Sequence, residues 1–171
     1  MKKIIVPLCL LLLFGCIVQS QSFINLSNGL SSCQLKNGIR KSGTDRFNEV
    51  RLKLNSLNKL GFVDSASQTF FLETYDLESG MIYGLIWNSR GKLIYNYHHD
   101  KFSFDKNLRF SEYMIELVEN WDIDAIRKEE ELNAHSIPNP SIYATKINRK
   151  SSKDVNIECI MFKDFFKLGR D

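Results

Sequence analysis

Histidine is scarce in this chain, with three in 171 residues, and so is proline, also with three, of which Pro7 lies in the first ten residues. Histidine is the side chain whose ordinary pKa lies nearest neutrality, so general bases are few. Recognisable nucleophile and phosphate motifs are missing as well. There is no Gly-x-Ser-x-Gly elbow, no His-Glu-x-x-His, no Gly-rich phosphate loop, and no cysteine spacing that suggests zinc or a redox pair. Low-complexity tracts and internal repeats are absent too, which excludes collagen-like, solenoid and extensively disordered architectures. Nothing beyond the first eighteen residues is apolar for the roughly 20 positions a spanning helix needs.

What is present begins at the N-terminus. Lys2 and Lys3 precede a charge-free apolar run from Ile4 to Val18, followed by Gln19, Ser20, Gln21 and Ser22. Charged, apolar and small-residue segments in that order make a secretory signal, and the run is too short, with Pro7 inside it, for a membrane span. Two processing routes stay open. Cleavage after Ser20 makes residues 1–20 the signal peptide; alternatively Leu12-Leu13-Phe14-Gly15-Cys16 resembles the bacterial lipobox, which makes residues 1–15 the leader and Cys16 a lipidated first residue. Phe14 and the apolar Ile17-Val18 depart from the usual lipobox pattern. Either route predicts an exported chain, periplasmic, surface-anchored or secreted, that meets a membrane only through a lipid on Cys16.

Taking 20 residues from 171 leaves 151, a single-domain length that buries a sizeable core without metal or dense disulfides. The formal charge falls from +3 to +1 once Lys2 and Lys3 leave, so basicity gives no support to a nucleic-acid partner. Cys9 and Cys16 fall in the leader, and the remaining Cys33 and Cys159 predict one disulfide in an oxidising compartment. On chain entropy alone a bridge closing so long a loop stabilises by roughly 4 to 5 kcal/mol.

The pattern predicts an α+β fold in the order α-β-β-β-α-β-β, with an antiparallel sheet of about five strands against one shorter and one long helix. Residues 21–43, rich in Ser, Asn and Gly, read as an irregular arm, and 44–171 as the domain. Phe47, Val50, Leu54 and Leu57 set a helix over 45–60 that starts at a Thr44 or Asp45 cap and turns Arg46, Arg51, Lys53 and Lys59 to solvent. Aromatic and β-branched density places strands at 68–76, 81–88 and 92–98 in a meander. The second strand is apolar on both faces, so the sheet needs cover on both sides. A long helix from Ser111 carries the stripe Met114, Leu117, Val118, Trp121 and Ala125, with Asn120-Trp121-Asp122 as a potential break. A last hairpin spans 142–147 and 155–162, with Val155, Ile157, Cys159 and Met161 facing the core.

Candidate chemistry is thin. His98-His99-Asp100 is the only local cluster of metal-ligand types, and it would need His135 or a helix glutamate to complete a site. Glu112, Glu116 and Glu119 share a helix face, in a 112–131 segment with eight carboxylates against Arg127 and Lys128. Tyr83, Trp87, Tyr95 and Tyr97 are the candidate binding surface, an aromatic ladder suited to a protein or glycan ligand if one sheet face is uncovered. Asp64-Ser65-Ala66 resembles a short O-glycosylation acceptor of exported bacterial proteins. No cofactor is implied. The residues favour a non-catalytic binding module of the bacterial envelope. Two alternatives stand beside it: an envelope hydrolase or metal-dependent enzyme with a site near His98 to Asp100, and a lipoprotein inhibitor or immunity protein that uses the acidic helix 112–131.

Overall fold

The computed structural model describes residues 23–76, 78–104, 109–133, 140–151 and 154–163. The leader with Cys16, and His135, lie outside the described residues. Helices α1 (23–36) and α2 (Lys41–Ser56) precede a single 3-10 turn, the hairpin strands β1 (Gln68–Tyr75), β2 (Ile82–Asn88), β3 (Gly91–His98) and the short β4 (Lys101–Ser103). Helices α3 (Glu112–Glu119) and α4 (Ile123–Leu132) follow, and β5 (Ser141–Arg149) and β6 (Val155–Lys163) close the chain. The six strands form one antiparallel sheet in the order β4-β3-β2-β1-β5-β6. The fold is α+β, with six strands where the sequence suggested about five. The extra one, β4, has three residues, too few for alternation to announce it.

Helices cover both faces of the sheet. On one, Phe23, Leu26 and Leu30 of α1 and Phe47, Val50 and Leu54 of α2 pack with Phe71, Ile86, Tyr95 and Ile147. On the other, Met114, Leu117 and Val118 of α3 and Ile126 of α4 pack with Phe70, Leu72, Leu85, Trp87 and Phe162. The period-two alternation of β1 and β2 thus feeds two cores, and deleting a buried leucine from either should cost about 2 to 5 kcal/mol. Among the described residues no helix is long and apolar enough to cross a membrane.

Three sequence expectations are corrected here. Residues 24–43 are not irregular: 23–36 are helical, because Phe23, Leu26 and Leu30 recur at i, i+3 and i+7 and bury, overriding the poor helix propensity of the Ser, Asn and Gly between them. Helix α2 begins at Lys41 without a side-chain cap rather than at 45. It ends before Lys59 and Gly61, because Asn58 at φ 55° takes the left-handed position, with Asn58 N–H donating to Asn55 O and Lys59 N–H to Leu54 O. Leu57, expected in the core, is exposed as a result. The long helix divides at the suspected place. Trp121 at φ 52° closes α3, with its N–H on Val118 O and Asp122 N–H on Leu117 O, and Asp122 Oδ1 then accepts from Ala125 N–H to open α4.

Candidate functional site

Strand register decides the fate of the aromatic ladder. Tyr95 pairs with Gly84 and Tyr97 with Ile82, whereas Tyr83 pairs with Asn96 and Trp87 with Lys92. Directly paired residues share a face, so Tyr95 and Tyr97 point toward α1 and α2 while Tyr83 and Trp87 point toward α3 and α4. The four tyrosine and tryptophan rings therefore form no ladder, and the expectation of one is corrected. Trp87 stacks on Phe70 with ring centroids 5.3 Å apart and donates Nε1–H to Glu119 Oε1 at 2.6 Å, beneath α3. Tyr83 lies under the Arg109 guanidinium, 3.9 Å from its ring centre. Tyr95 and Tyr97 are buried.

The His98-His99-Asp100 segment forms the β3–β4 turn. His99 and Asp100 both take positive φ, 47° and 60°, the two left-handed central positions of a tight hairpin that glycine and asparagine usually fill. Side chains hold the turn in place. Tyr97 Oη donates to Asp100 Oδ1 at 2.7 Å, and Lys53 of α2 reaches Asp100 at 2.9 Å, Glu49 at 2.8 Å and the Tyr97 hydroxyl. His98 Nε2 lies 2.8 Å from Ser79 O in the β1–β2 turn, and the two imidazoles meet at a tilt of 44° with centroids 3.7 Å apart. The cleft between the two turns has a volume of about 390 Å³ and is lined by Arg46, Glu49, Ser79, Gly80 and residues 97–100.

Electrostatics within this cleft favour fixed charges. The Glu49 carboxylate, then Tyr97 and Asp100, hold Lys53 protonated well above the ordinary lysine range. The Tyr97 hydroxyl and the Lys53 ammonium keep Asp100 below the usual carboxylate value, while burial raises Tyr97 itself. Lys53 and Glu49 are 40% and 53% exposed, so solvent reaches both partners of the pair. Among the described residues no group of three His, Cys, Asp or Glu side chains converges on a metal position, so His98, His99 and Asp100 are not assembled into one.

Sequence reasoning missed a second polar cluster, this one wholly interior. Arg51, expected on the solvent face of its helix, is fully buried. Its Nε donates to Glu73 Oε1 at 2.9 Å and Nη2 to Glu73 Oε2, its Nη1 reaches Gln34 Oε1 at 3.4 Å, and Tyr95 Oη donates to Glu73 Oε1 at 2.9 Å. Phe47 and Phe71 flank the guanidinium at 5.8 and 5.7 Å. Burial, and the Glu73 charge beside it, push the Tyr95 hydroxyl well above its ordinary value. The signal was available. Residue 51 falls inside the i, i+3, i+4, i+7 stripe begun by Phe47, and Glu73 shares its parity in β1 with Phe71. A charge on a buried stripe needs a partner on the surface it meets.

The predicted acidic segment spans α3 and α4. Glu112, Glu116, Asp124 and Glu131 are exposed, and no ion pair involves them among the described residues; Arg127 bonds Glu130 at 2.6 Å. Exposed Tyr113 and Leu132 lie in the same layer, with Tyr113 Oη 3.2 Å from Glu129. The opposite layer is basic: within residues 36–59, Lys36, Arg40, Lys41, Arg46, Lys53 and Lys59 stand against Asp45 and Glu49, with Arg51 buried beneath them on Glu73. Cys33 of α1 and Cys159 of β6 are joined as a disulfide across 126 positions, with Cα atoms 5.9 Å apart, as the cysteine count suggested.

Comparisons with protein-family models, with curated proteins and with solved structures found no match.

Proposed function

We propose that this chain is an exported, disulfide-stapled interaction module that meets a basic protein partner through the acidic outer layer of α3 and α4. One observation carries the reading: within 112–131 eight carboxylates face two cations, and Glu112, Glu116, Asp124 and Glu131 are exposed with no ion pair among the described residues. Unneutralised charge of one sign on one layer costs stability through self-repulsion, but it steers and orients a partner of the other sign. Tyr113, exposed among these carboxylates, supplies the aromatic contact that protein interfaces favour. The reading is of the inhibitor or immunity type, acting by occupancy and not by catalysis. Membrane attachment, on this reading, comes only through a lipid on Cys16.

A photo-crosslinking residue at position 116, and separately at position 35 on the opposite layer, tests this in the envelope where the chain is made. Adducts are expected from position 116 alone, and they should vanish in high salt and in the variant Glu112→Gln, Asp124→Asn, Glu131→Gln. Equal adducts from both layers, or adducts indifferent to salt and to those changes, would exclude the acidic layer as the contact.

A second reading keeps the cleft at residues 97–100 as a site for a small polar ligand. The paired left-handed residues His99 and Asp100 favour it, since backbone strain of this kind concentrates at functional positions.

A further inference from the structure

Helix α1 is poorly equipped to stay helical on its own. Six of its fourteen residues, Asn25, Ser27, Asn28, Gly29, Ser31 and Ser32, are weak helix formers, so its order depends on what it packs against. Its docking face is mixed. Phe23, Leu26 and Leu30 bury completely or nearly so, yet Ser31 Oγ and Gln34 Nε2 are buried with no hydrogen-bond partner among the described residues, a defect that opposes docking. Gly29 packs closely on β6, where a methyl group would lie 2.8 Å from Ile157 Cδ1 and the isoleucine tip would have to shift. Gln34 also screens the Arg51–Glu73 pair, and lifting α1 would return water to an ion pair whose desolvation is unfavourable.

Two connections restrain the helix at its C-terminal end. One is the short link through Gly38, in the left-handed conformation at φ 85°, where the chain reverses into α2. The other is the Cys33–Cys159 bond to β6. We propose that α1 is a thiol-reducible latch, a cover that the Cys33–Cys159 disulfide holds shut over the Arg51–Glu73 cluster and that swings free about Gly38 when the bond is reduced. The reductant is a dithiol. Its two thiols lose two protons and two electrons and close to a disulfide, while Cys33 and Cys159 each take one proton and one electron to become thiols. The remaining sheet, with α2 and the α3–α4 layer, keeps its own core and stays folded. Opening uncovers Val50, Leu54 and Ile147, an apolar patch that the oxidised protein hides.

Hydrogen exchange followed by mass spectrometry tests the latch on the oxidised protein, the same protein reduced with dithiothreitol, and the variant Cys33→Ser, Cys159→Ser. Exchange across 23–36 should accelerate by about tenfold or more on reduction and in the thiol-free variant, while β1, β2 and β3 change by less than about twofold. Adding Ser31→Ala to the thiol-free variant removes one orphaned hydroxyl and raises helix propensity, so part of the protection should return. The latch is overturned if α1 keeps its protection after reduction. It is equally overturned if the central strands lose protection by the same factor as α1, since the bond would then stabilise the whole domain and not one cover.

Discussion

Gly84 and Tyr95 face each other across the β2–β3 pair, and the Tyr95 ring lies over the glycine where a side chain would otherwise stand. A methyl group at position 84 would overlap the ring. The glycine thus makes room for the tyrosine, whose hydroxyl then reaches the Glu73 carboxylate. Gly84→Ala should destabilise the domain by about 3 kcal/mol, at the upper end of overpacking effects, because β-sheet backbone blocks escape on one side and α1 and α2 on the other. Urea unfolding monitored by circular dichroism checks it. Gly84→Ala combined with Tyr95→Leu should recover part of the loss, and an unchanged midpoint in the single variant would contradict the packing described.

Arg51 and Glu73 are a second case in which one partner means little without the other. Arg51→Met leaves a buried carboxylate with only Tyr95 and should cost roughly 4 kcal/mol. The triple variant Arg51→Met, Glu73→Leu, Tyr95→Phe removes the three central members, leaving only Gln34, which met Arg51, and should return part of that stability. Denaturant midpoints compared across the cycle decide the matter. Additive losses would mean that the three side chains do not act together.

Acid should loosen the turns before it loosens the sheet. Asp76 is held first by the Ser79 side chain and then by the Ser79 and Glu78 amides, Asp100 accepts from Tyr97 and Lys53, and both carboxyls lie below their ordinary value of 3.8. A depressed folded-state pKa stabilises fully above the unfolded value, and the contribution disappears as pH falls through the folded value. The window is therefore below about pH 4, with no effect of these two groups near neutrality. Carboxyl-carbon NMR titration should show both midpoints below 3.8. Lys53→Met should raise the Asp100 midpoint while leaving Asp76 in place.

Export makes its own prediction about mass. The chain recovered from its native envelope should begin either at Gln21 or at a lipidated Cys16, and its thiols should resist alkylation until a reductant is added. Recovering the chain with Met1 intact and both Cys33 and Cys159 alkylated without reductant would remove the proposed compartment.

Edge protection offers a further check. Glu130 Oε1 of α4 accepts the Lys163 N–H at 2.8 Å, at the end of the edge strand β6. Glu130→Ala frees that amide and should increase concentration-dependent association, measured by light scattering, with little change in unfolding midpoint.

Much of this architecture was legible in the residues. The strands at 68–76, 81–88 and 92–98 and the final hairpin emerge within a residue or two of their observed limits, because β-branched and aromatic density and short turn sequences act locally. The two-sided apolar pattern of β2 correctly demanded cover on both faces. Helix α1 was hidden by its own composition, since Ser, Asn and Gly describe what an isolated segment prefers and not what a buried stripe of Phe23, Leu26 and Leu30 enforces.

By itself the sequence determined the two periodicities, the paired cysteines and the concentration of carboxylates between 112 and 131, since each is a matter of residue type and spacing. Only the tertiary structure decided which face each aromatic ring joined, because register is set by pairing between strands and one step moves every side chain to the other side. Only it could bury Arg51 against Glu73, a contact across 22 positions that exists once α2 lies on β1. Helix periodicity marks a side chain as inward; the partner that meets it there belongs to another element.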